Sequence, residues 1–324
     1  MMHHREHPHG VMFHRFHDDQ MKYIGQGSLS GDNFEDIINY IGTERILSPN
    51  EWQDKLKTNT LNNSDICLTF DDGLKSQILI ALPILKKYNL KAFFFIHSLT
   101  FFDEVDYNEV FNVIIRSEFP NIDIFLDQFL IFNKLNKNIF ETKKFYKYKN
   151  YLNKNYVFYT EGDIKYRYLR NNLSTKPDVF NSILKKFFRS NNISIEKVSE
   201  NLWLDNKDID QINIDGHTIG MHSFSHYINF CDLNIDIQTR EYKENKDHLE
   251  SFIDYKITSM SHPLGSYNTK CLELLEELDI TCGFRSDDSI PDKIDSTNII
   301  NPTTLEIARV DAVNILKDLE TSNK

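Results

Sequence analysis

Short apolar runs alternate with longer amphipathic segments at both ends of the chain. Apolar residues at 66–68, followed by the polar turn at 71–73, predict a buried strand that ends in a tight turn. Other runs that predict strands lie at 10–14, 91–96, 217–222, 256–260, 280–285 and 305–310. Apolar residues at helical spacing predict helices at 34–41, 49–56, 78–88, 237–252 and 270–278. The first of these helices is expected to be capped by Ser30 or Asp32, and the second by Ser48.

The middle of the chain has a different pattern. Between residues 101 and 204 the apolar positions recur at helical spacing, and no segment alternates as a half-buried strand would. The helices predicted there cover residues 105–115, 122–135, 141–152, 178–188 and 195–204.

These patterns together indicate an α/β protein. Short strands that alternate with helices pair in parallel, because each crossover between parallel strands needs a helix. We therefore expect a distorted or incomplete (β/α) barrel of seven or eight strands with a helical insertion. The barrel would comprise residues 1–100 and 205–324, and the insertion would comprise residues 101–204.

Composition narrows the class of protein. A chain of 324 residues with 40% hydrophobic content can bury a large core, which argues against a disordered protein. No stretch of about eighteen apolar residues is present, so no membrane span is predicted. The four cysteines show no C-x-x-C spacing, which argues against a disulfide framework and favours a reducing compartment. Because the first residues lack an apolar secretion signal, the protein is expected to be cytoplasmic.

Charge is distributed unevenly along the chain. The net charge of −11 disfavours nonspecific binding to nucleic acid, and no nucleic-acid partner is expected. Residues 131–200 nevertheless hold 12 Lys and 3 Arg against 6 acidic residues, a net charge of +9 that leaves −20 for the rest. Two explanations remain open. The abundance of Lys, Asn, Ile, Tyr and Phe is typical of an AT-rich genome, whereas a basic segment beside an acidic body would suit a substrate that carries phosphate or diphosphate.

Polar residues stand at or just beyond the ends of the predicted strands. Asp71 and Asp72 follow one strand, where two adjacent carboxylates need a cation, or one of them must hold a proton. His222 and His226 follow another strand and, four residues apart, can face one point. A metal bound by one carboxylate and both histidines, with the other carboxylate as base, satisfies these groups. The other polar residues at strand ends, which a barrel would bring to the same mouth, are His262, Arg285, Arg309 and Asp311.

Three sequence motifs resemble those of a known enzyme family. They read Thr-Phe-Asp-Asp-Gly at 69–73, Gly-His-Thr-Ile-Gly-Met-His-Ser-Phe-Ser-His at 216–226 and Ser-His-Pro-Leu-Gly-Ser-Tyr at 261–267. They look like the first three motifs of the polysaccharide deacetylases with NodB homology. Val-Met-Phe-His-Arg-Phe at 11–16 also resembles the first strand of the branch that contains the poly-N-acetylglucosamine deacetylases. The resemblance covers residues 11–98 and 205–315 and leaves the insertion out.

The resemblance implies a reaction and a set of site residues. Asp72, His222 and His226 would bind a divalent transition metal, in the first place Zn²⁺, with positions left for water and substrate. Asp71 would be the catalytic base that takes a proton from the water. The implied reaction is hydrolysis of an N-acyl group, in the first place N-acetyl, on an amino sugar.

The same resemblance places oxyanion and substrate contacts in the turn of the third motif. A backbone amide there would stabilise the tetrahedral oxyanion, and we expect that donor at Leu264. The residues expected to contact substrate or oxyanion are Pro263, Leu264, Gly265, Arg285 and Arg309.

Two departures from the family pattern affect these roles. The third motif of the family usually carries an arginine that orients the catalytic carboxylate, and Ser261 stands in its place. Arg285 or Arg309, from another strand, is a candidate for that role, with a surface ion pair as the alternative for either. The family's C-terminal motif ends in histidine, whereas this chain has Arg309 there. Another group must therefore protonate the leaving amine.

Histidines elsewhere in the chain are the candidates for this general acid. His262 and His14 come first, because they lie at a predicted strand end or in the first-strand motif. His17 comes third, and for each of them a hydrogen-bonded structural role is the alternative. Asp18 and Asp19 are expected to belong to the loop after the first strand, and orienting a histidine is the alternative role for one of them.

The expected partner is an amino-sugar substrate, free or linked to a nucleotide or a lipid, in surface-polysaccharide or O-antigen biosynthesis. The insertion is expected to cap the barrel mouth and select the substrate. Two other classes remain as alternatives. One is an amidase of the same fold that acts on a formamide or a nonsugar amide, and the other is a carbohydrate-binding protein that has lost turnover.

Overall fold

The structure, a computed structural model, describes residues 5–155, 159–173, 177–291 and 299–322. Seven parallel strands in the described part form one sheet in the order β6-β5-β4-β3-β2-β1-β7. They are β1 (His9–Phe13), β2 (Ile66–Asp71), β3 (Phe93–Ile96), β4 (Thr218–Met221), β5 (Ser259–Ser261), β6 (Cys282–Phe284) and β7 (Arg309–Asp311). The distorted (β/α) barrel predicted from the sequence is confirmed.

The sheet nearly closes between β6 and β7. Phe284 in β6 forms a parallel bridge with Ile307, two residues before β7 begins. The amide of Ile307 donates to the carbonyl of Gly283 at 2.9 Å, and the amide of Arg285 donates to the carbonyl of Ile307 at 2.8 Å. The carboxyl ends of the parallel strands therefore surround one mouth.

Helices cover the sheet and form most of the middle of the chain. They are α1 (Gly31–Ile41), α2 (Pro49–Lys57), α3 (Leu82–Lys87), α4 (Tyr107–Ser117), α5 (Ile122–Phe132), α6 (Lys143–Asn155), α7 (Glu161–Asn172), α8 (Pro177–Ser190), α9 (Ile195–Ser199), α10 (Asn206–Ile214), α11 (Ile235–Glu250), α12 (Thr269–Glu277) and α13 (Ala312–Ser322). None of the described helices combines the length and the apolar character needed to cross a membrane.

Caps and apolar faces explain where the first helices begin and what they cover. Ser30 Oγ accepts a hydrogen bond from the amide of Asn33, and Oδ1 of Asn33 accepts one from the amide of Ser30, so the cap of α1 is Ser30 and not Asp32. Ser48 caps α2 in the same way, with Pro49 at the first helical position. β2 and β3 are buried along their whole length, as expected of parallel strands whose two faces both pack against other parts of the protein.

The chain forms two compact units. The barrel unit comprises Met1–Asp19, Ser28–Asp106 and Leu202–Lys324, and the helical unit comprises Gln20–Gly27 and Tyr107–Asn201. The helical unit contains α4 to α9.

Four helices differ from the sequence predictions. The helix predicted at 195–204 ends at Ser199, and α7, α10 and α13 were not predicted at all. The polar composition of α7 weakens its apolar periodicity, although a capping box of Thr160 and Asp163 marks its first turn.

Candidate active site

Two adjacent aspartates stand at the carboxyl end of β2. Asp71 is the last residue of β2, and Asp72 follows it with a φ of 74°. A positive φ is uncommon for aspartate and persists where the surrounding structure holds it, often at functional sites. This turn gives the two carboxylates different partners. Asp71 contacts Arg309, whereas Asp72 faces His222 and His226.

Asp72, His222 and His226 form a buried cluster. Oδ1 of Asp72 lies 3.3 Å from Nε2 of His222 and 3.4 Å from Nε2 of His226. Two ligands about 2.0–2.1 Å from a tetrahedral zinc ion are roughly 3.3–3.4 Å apart, so these separations fit a divalent metal. The fold thus brings together the three residues that the sequence proposed as metal ligands.

The second nitrogen of each imidazole is held by a hydrogen bond. Nδ1 of His222 donates to the carbonyl of Ser261 at 2.8 Å, and Nδ1 of His226 donates to Oδ2 of Asp106 at 2.9 Å. These acceptors require a proton on Nδ1, so Nε2 is the nitrogen of each ring that faces Asp72 and could bind a metal once it is deprotonated. Histidines that bind metals usually have such partners, because the partner fixes the tautomer and the ring orientation.

Charge coupling shifts the pKa values of Asp72 and His226 in opposite directions. Burial raises the pKa of the Asp72 carboxyl, but His226 and His222 outweigh burial and hold that pKa well below its usual range. Burial lowers the pKa of the His226 imidazole, but Asp72 and Asp106 raise it to about 9. A cation that binds these residues would compete with that proton, as is general for metal sites.

Asp71 is held by a buried arginine. Nη1 of Arg309 donates to Oδ1 of Asp71, and Nη2 donates to Oδ2, both at 2.7 Å. Oγ of Ser261 accepts from Arg309 Nη2 at 2.7 Å and donates to Asp71 Oδ2 at 3.0 Å. Burial raises the pKa of the Asp71 carboxyl, but Arg309 and His222 bring it below its ordinary value, so this carboxyl is ionised at neutral pH. Arg309 therefore lies where it can orient the carboxylate, beside the serine that replaces the motif arginine.

His14 lies near these acids and is half-buried. The side chain of Gln77 donates to the carbonyl of His14 at 2.9 Å and to that of Asp71 at 2.7 Å, which ties the ends of β1 and β2 together. Burial raises the pKa of the Asp311 carboxyl, and the His14 imidazole is the first of the charges that oppose this shift. In the part of the chain that the structure describes, no group is hydrogen-bonded to the His14 imidazole.

The other two candidate general acids have structural contacts. His262 is fully buried, and its Nε2 donates to the carbonyl of Leu305 at 2.8 Å. Its ring stacks on Tyr267 with the ring centroids 4.3 Å apart. Nδ1 of His17 lies 3.1 Å from Oγ of Ser28. Of the three histidines, His14 alone has an imidazole without a hydrogen-bond partner among the described residues.

The remaining predicted contact residues lie in two places. Leu264 has a φ of 52° in the turn of Pro263 and Gly265, and its side chain is 45% exposed. Arg285 is buried, and its guanidinium donates to the carbonyls of Glu306 at 3.0 Å and Ile300 at 2.8 Å. These bonds tie Arg285 to the segment before β7, whereas Leu264 is at the surface.

Sequence reasoning assigned no site role to either of two residues beside His226. Asp106, which holds His226 Nδ1, lies in a loop among other acids, and nothing in the sequence distinguishes it. His97 follows β3 and stacks on His226 with the ring centroids 5.4 Å apart. Burial lowers the pKa of His97 to about 4, and within the described residues neither of its ring nitrogens is hydrogen-bonded. The sequence feature that could have identified His97 is its position directly after the strand predicted at 91–96.

Comparisons with known proteins agree with this geometry. The polysaccharide deacetylase family model matches residues 58–109 and 174–283. The structure resembles deacetylase PplD from Streptococcus pyogenes in complex with acetate, with a TM-score of 0.55 and 16% identity over 99% of this chain and 100% of that chain. It also resembles IcaB from Ammonifex degensii, with a TM-score of 0.53 and 13% identity over 96% of this chain and 94% of that one. For a de-N-acetylase from Aggregatibacter actinomycetemcomitans the TM-score is 0.53 and the identity 13%, over 94% and 95% of the two chains. A search of curated proteins gave no match.

The family match includes the residues of the site. Its two segments total 162 of the 324 residues and contain Asp71, Asp72, His222 and His226. The similar structures have low sequence identity and show the fold. On these grounds the chain belongs to the polysaccharide deacetylase family.

Proposed function

We propose that this protein is a metal-dependent carbohydrate N-deacetylase that hydrolyses an N-acyl group, in the first place N-acetyl, on an amino sugar. One observation carries the proposal. An ionised carboxylate, Asp71, is held in place by Arg309 directly beside a cluster whose spacing fits a divalent metal. A base next to a metal-ligand cluster is the arrangement that metal-assisted hydrolysis requires.

Asp72, His222 and His226 would hold the metal, which we propose to be Zn²⁺ or another divalent transition metal. Bound there, a metal would acidify a water molecule and polarise the acyl carbonyl. The outward hydrogen bonds of both imidazoles support this assignment, because they fix each ring with its Nε2 toward Asp72.

Asp71 accepts the proton of the attacking water as the bond between the water oxygen and the acyl carbon forms. Each carboxylate oxygen can accept two hydrogen bonds. Oδ2 accepts from both Arg309 and Ser261, whereas Oδ1 accepts from Arg309 alone. Oδ1 is therefore the oxygen that receives the proton.

His14 supplies the proton for the leaving nitrogen as the C–N bond breaks. The products are a short carboxylic acid and a free amine on the sugar. The backbone amide of Leu264 stabilises the oxyanion. The exposure of this residue and its left-handed backbone support a role at the rim of the site.

The proposed substrate is an amino sugar of surface-polysaccharide or O-antigen assembly, free or carried by a nucleotide or a lipid. The basic segment at 131–200 supports a carrier that contains phosphate. A cytoplasmic location belongs to the same proposal.

A substrate panel tests the function. Protein loaded with Zn²⁺ is incubated with N-acetylated and N-formylated amino sugars in free, nucleotide-linked and lipid-linked form, and with nonsugar amides. Mass spectrometry detects the new amine, and acetate and formate release are measured separately. We expect amine from an N-acetylated sugar and almost none with Asp71→Asn, which keeps the shape of the carboxylate without its charge. Hydrolysis of nonsugar amides alone, or no turnover by a fully metal-loaded protein, would contradict the proposal.

A further inference from the structure

Two neighbouring arginines of α7 have no acidic ion-pair partner among the described residues. Arg167 and Arg170 lie three residues apart on α7, which places them on the same face of the helix. Both side chains are half-buried. Within the described ranges, no carboxylate forms an ion pair with either guanidinium.

The acids at the start of α7 already have other partners. Asp163 pairs with Arg116. Glu161 binds Lys149 at 2.8 Å and Lys165 at 3.0 Å. The two arginines are therefore not neutralised by the acids of their own helix, and their charge is available to a ligand.

Aromatic and amide side chains surround the pair. The guanidinium of Arg167 lies 4.1 Å above the ring centroid of Tyr159. Nε of Arg170 donates to Oδ1 of Asn171 at 3.1 Å, and Nδ2 of Asn171 donates to the hydroxyl of Tyr148 at 3.1 Å. These contacts already restrict the rotamers of both arginine side chains. A ligand that binds there therefore loses less binding free energy to ordering them.

Among the described residues, most donors of the two guanidinium groups have no acceptor. An arginine has five N–H donors. In the described part of the chain, Arg167 makes one long hydrogen bond, from Nη2 to Oε1 of Gln26 at 3.5 Å, and Arg170 donates through Nε. Burial lowers the pKa of Arg170, and the like charge of Arg167 lowers it further. An anion between the two groups would relieve that repulsion.

We infer that Arg167 and Arg170 form an anion site that binds a phosphate or diphosphate group. Two adjacent guanidinium forks match the several oxygens of such a group, and a phosphate diester or diphosphate retains its charge at neutral pH. The aromatic rings beside them provide apolar surface for the part of the ligand next to the phosphate. The claim that the bound phosphate is part of the substrate rests on the proposed function. The claim that the site binds phosphate does not depend on it.

Calorimetric titration of the full chain tests the site, with inorganic pyrophosphate as the probe. We expect saturable binding that weakens as salt increases. The double variant Arg167→Gln/Arg170→Gln should bind at least tenfold more weakly. Lys143→Gln/Lys144→Gln removes two exposed positive charges of the same unit and should change binding less than twofold. No binding by the wild-type chain, or an equal loss in both double variants, would overturn the inference.

A measurement on the wild-type chain covers the case in which the arginine variant does not fold. Phenylglyoxal modifies exposed arginines, and mass spectrometry reports the rate at each one. Pyrophosphate should slow the modification of Arg167 and Arg170 severalfold, while the exposed Arg189 stays unchanged. If pyrophosphate left the modification rates of Arg167 and Arg170 unchanged, the inference would be overturned.

Two further arms distinguish the source of the phosphate. One is titration with UDP, and the other is sedimentation with phosphatidylcholine vesicles with and without phosphatidic acid. If the arginine variant loses UDP binding, the site binds the phosphate of a nucleotide carrier. If the variant loses binding to the vesicles that contain phosphatidic acid, the site binds the phosphate of a lipid carrier. Because a neutral N-acetylated glycoside has no phosphate, its hydrolysis tests the deacetylase proposal separately.

Discussion

The guanidinium of Arg309 binds both oxygens of Asp71, with each Nη atom 2.7 Å from one oxygen. Arg309 begins β7 and Asp71 ends β2, and β1 lies between these two strands in the sheet. The arginine side chain therefore crosses one strand to reach the carboxylate. Two parallel hydrogen bonds fix the plane of that carboxylate and keep it charged.

Arg309→Lys should show the importance of this geometry. Lysine keeps the positive charge but makes no two-pronged contact, so the Asp71 carboxylate loses its fixed plane. We expect kcat to fall by about 10- to 100-fold with the metal content unchanged, because the ligands are not touched. Steady-state kinetics and metal analysis on the same preparation measure both quantities. An unchanged kcat would show that the ion pair is only structural.

Gly10 makes room for the arginine, which leads to a second prediction. Gly10 pairs with Arg309 across β1 and β7, and a Cβ atom at residue 10 would lie 3.0 Å from Cγ of Arg309. Gly10→Ala should therefore displace the Arg309 side chain and lower kcat by about tenfold, again with full metal content. Kinetics with a saturating substrate measure the effect. Gly31→Ala is the matched control, because Cβ there would lie 3.3 Å from the flexible Cδ1 of Ile84, and kcat should stay within about twofold.

Asp106 should affect metal affinity. Its carboxylate holds Nδ1 of His226, and loss of such a partner typically costs about 10- to 100-fold in affinity. We expect a decrease of that size in Asp106→Asn, measured by competition with a chelator. Asp103→Asn changes an exposed carboxylate three residues away and should leave the affinity unchanged. Equal affinities for the two variants would exclude Asp106 from the site.

Local sequence patterns predicted those site residues that lie on a single strand or in the turn directly after it. The strand before Asp71 is apolar because parallel strands are buried on both faces. The spacing of His222 and His226 indicated a shared ligand point, and the fold brings both imidazoles to Asp72. Each of these signals lies within about ten residues of sequence.

Contacts between distant segments were not predictable in the same way. The partner of Asp71 depends on which strand lies two places away in the sheet, so the sequence left Arg285 and Arg309 as equal candidates. Asp106 comes from a loop after β3, where Asp103 and Glu104 are also acidic. Only the path of that loop makes one of the three a partner of His226.

Substitution of His14 and of His262 should distinguish a general acid from a structural histidine. His14→Gln removes the proton donor, and we expect kcat to fall by about 10²- to 10⁴-fold while metal content and Tm change little. His262→Gln replaces a buried ring that binds the Leu305 carbonyl, so its main effect should be a lower Tm. Kinetics, metal analysis and thermal unfolding of both variants test the assignment. A small change of kcat in His14→Gln, together with a large change in a folded His262→Gln, would reverse it.

Two buried histidines away from the site should make the fold sensitive to acid. Burial lowers the pKa of His9 and of His217 to about 4, against 6.5 for an ordinary histidine. As the pH falls from 6.5 to about 4, the unfolded chain takes up protons at these residues and the folded chain does not, so the free energy of unfolding decreases. Each histidine should account for on the order of 1–2 kcal/mol of the difference between about pH 7.5 and pH 5.

His217→Asn tests this contribution. Nδ1 of His217 accepts a hydrogen bond from the amide of Ala92 at 3.1 Å, and an asparagine oxygen can replace that acceptor without titrating. Urea unfolding at the two pH values, with a chelator present throughout, measures the free energy of unfolding for both proteins. The variant should lose less stability on acidification than the wild-type chain, by on the order of 1–2 kcal/mol. Equal losses would show that His217 is not held neutral in the folded protein, because a residue with the same pKa in both states contributes nothing to the pH dependence.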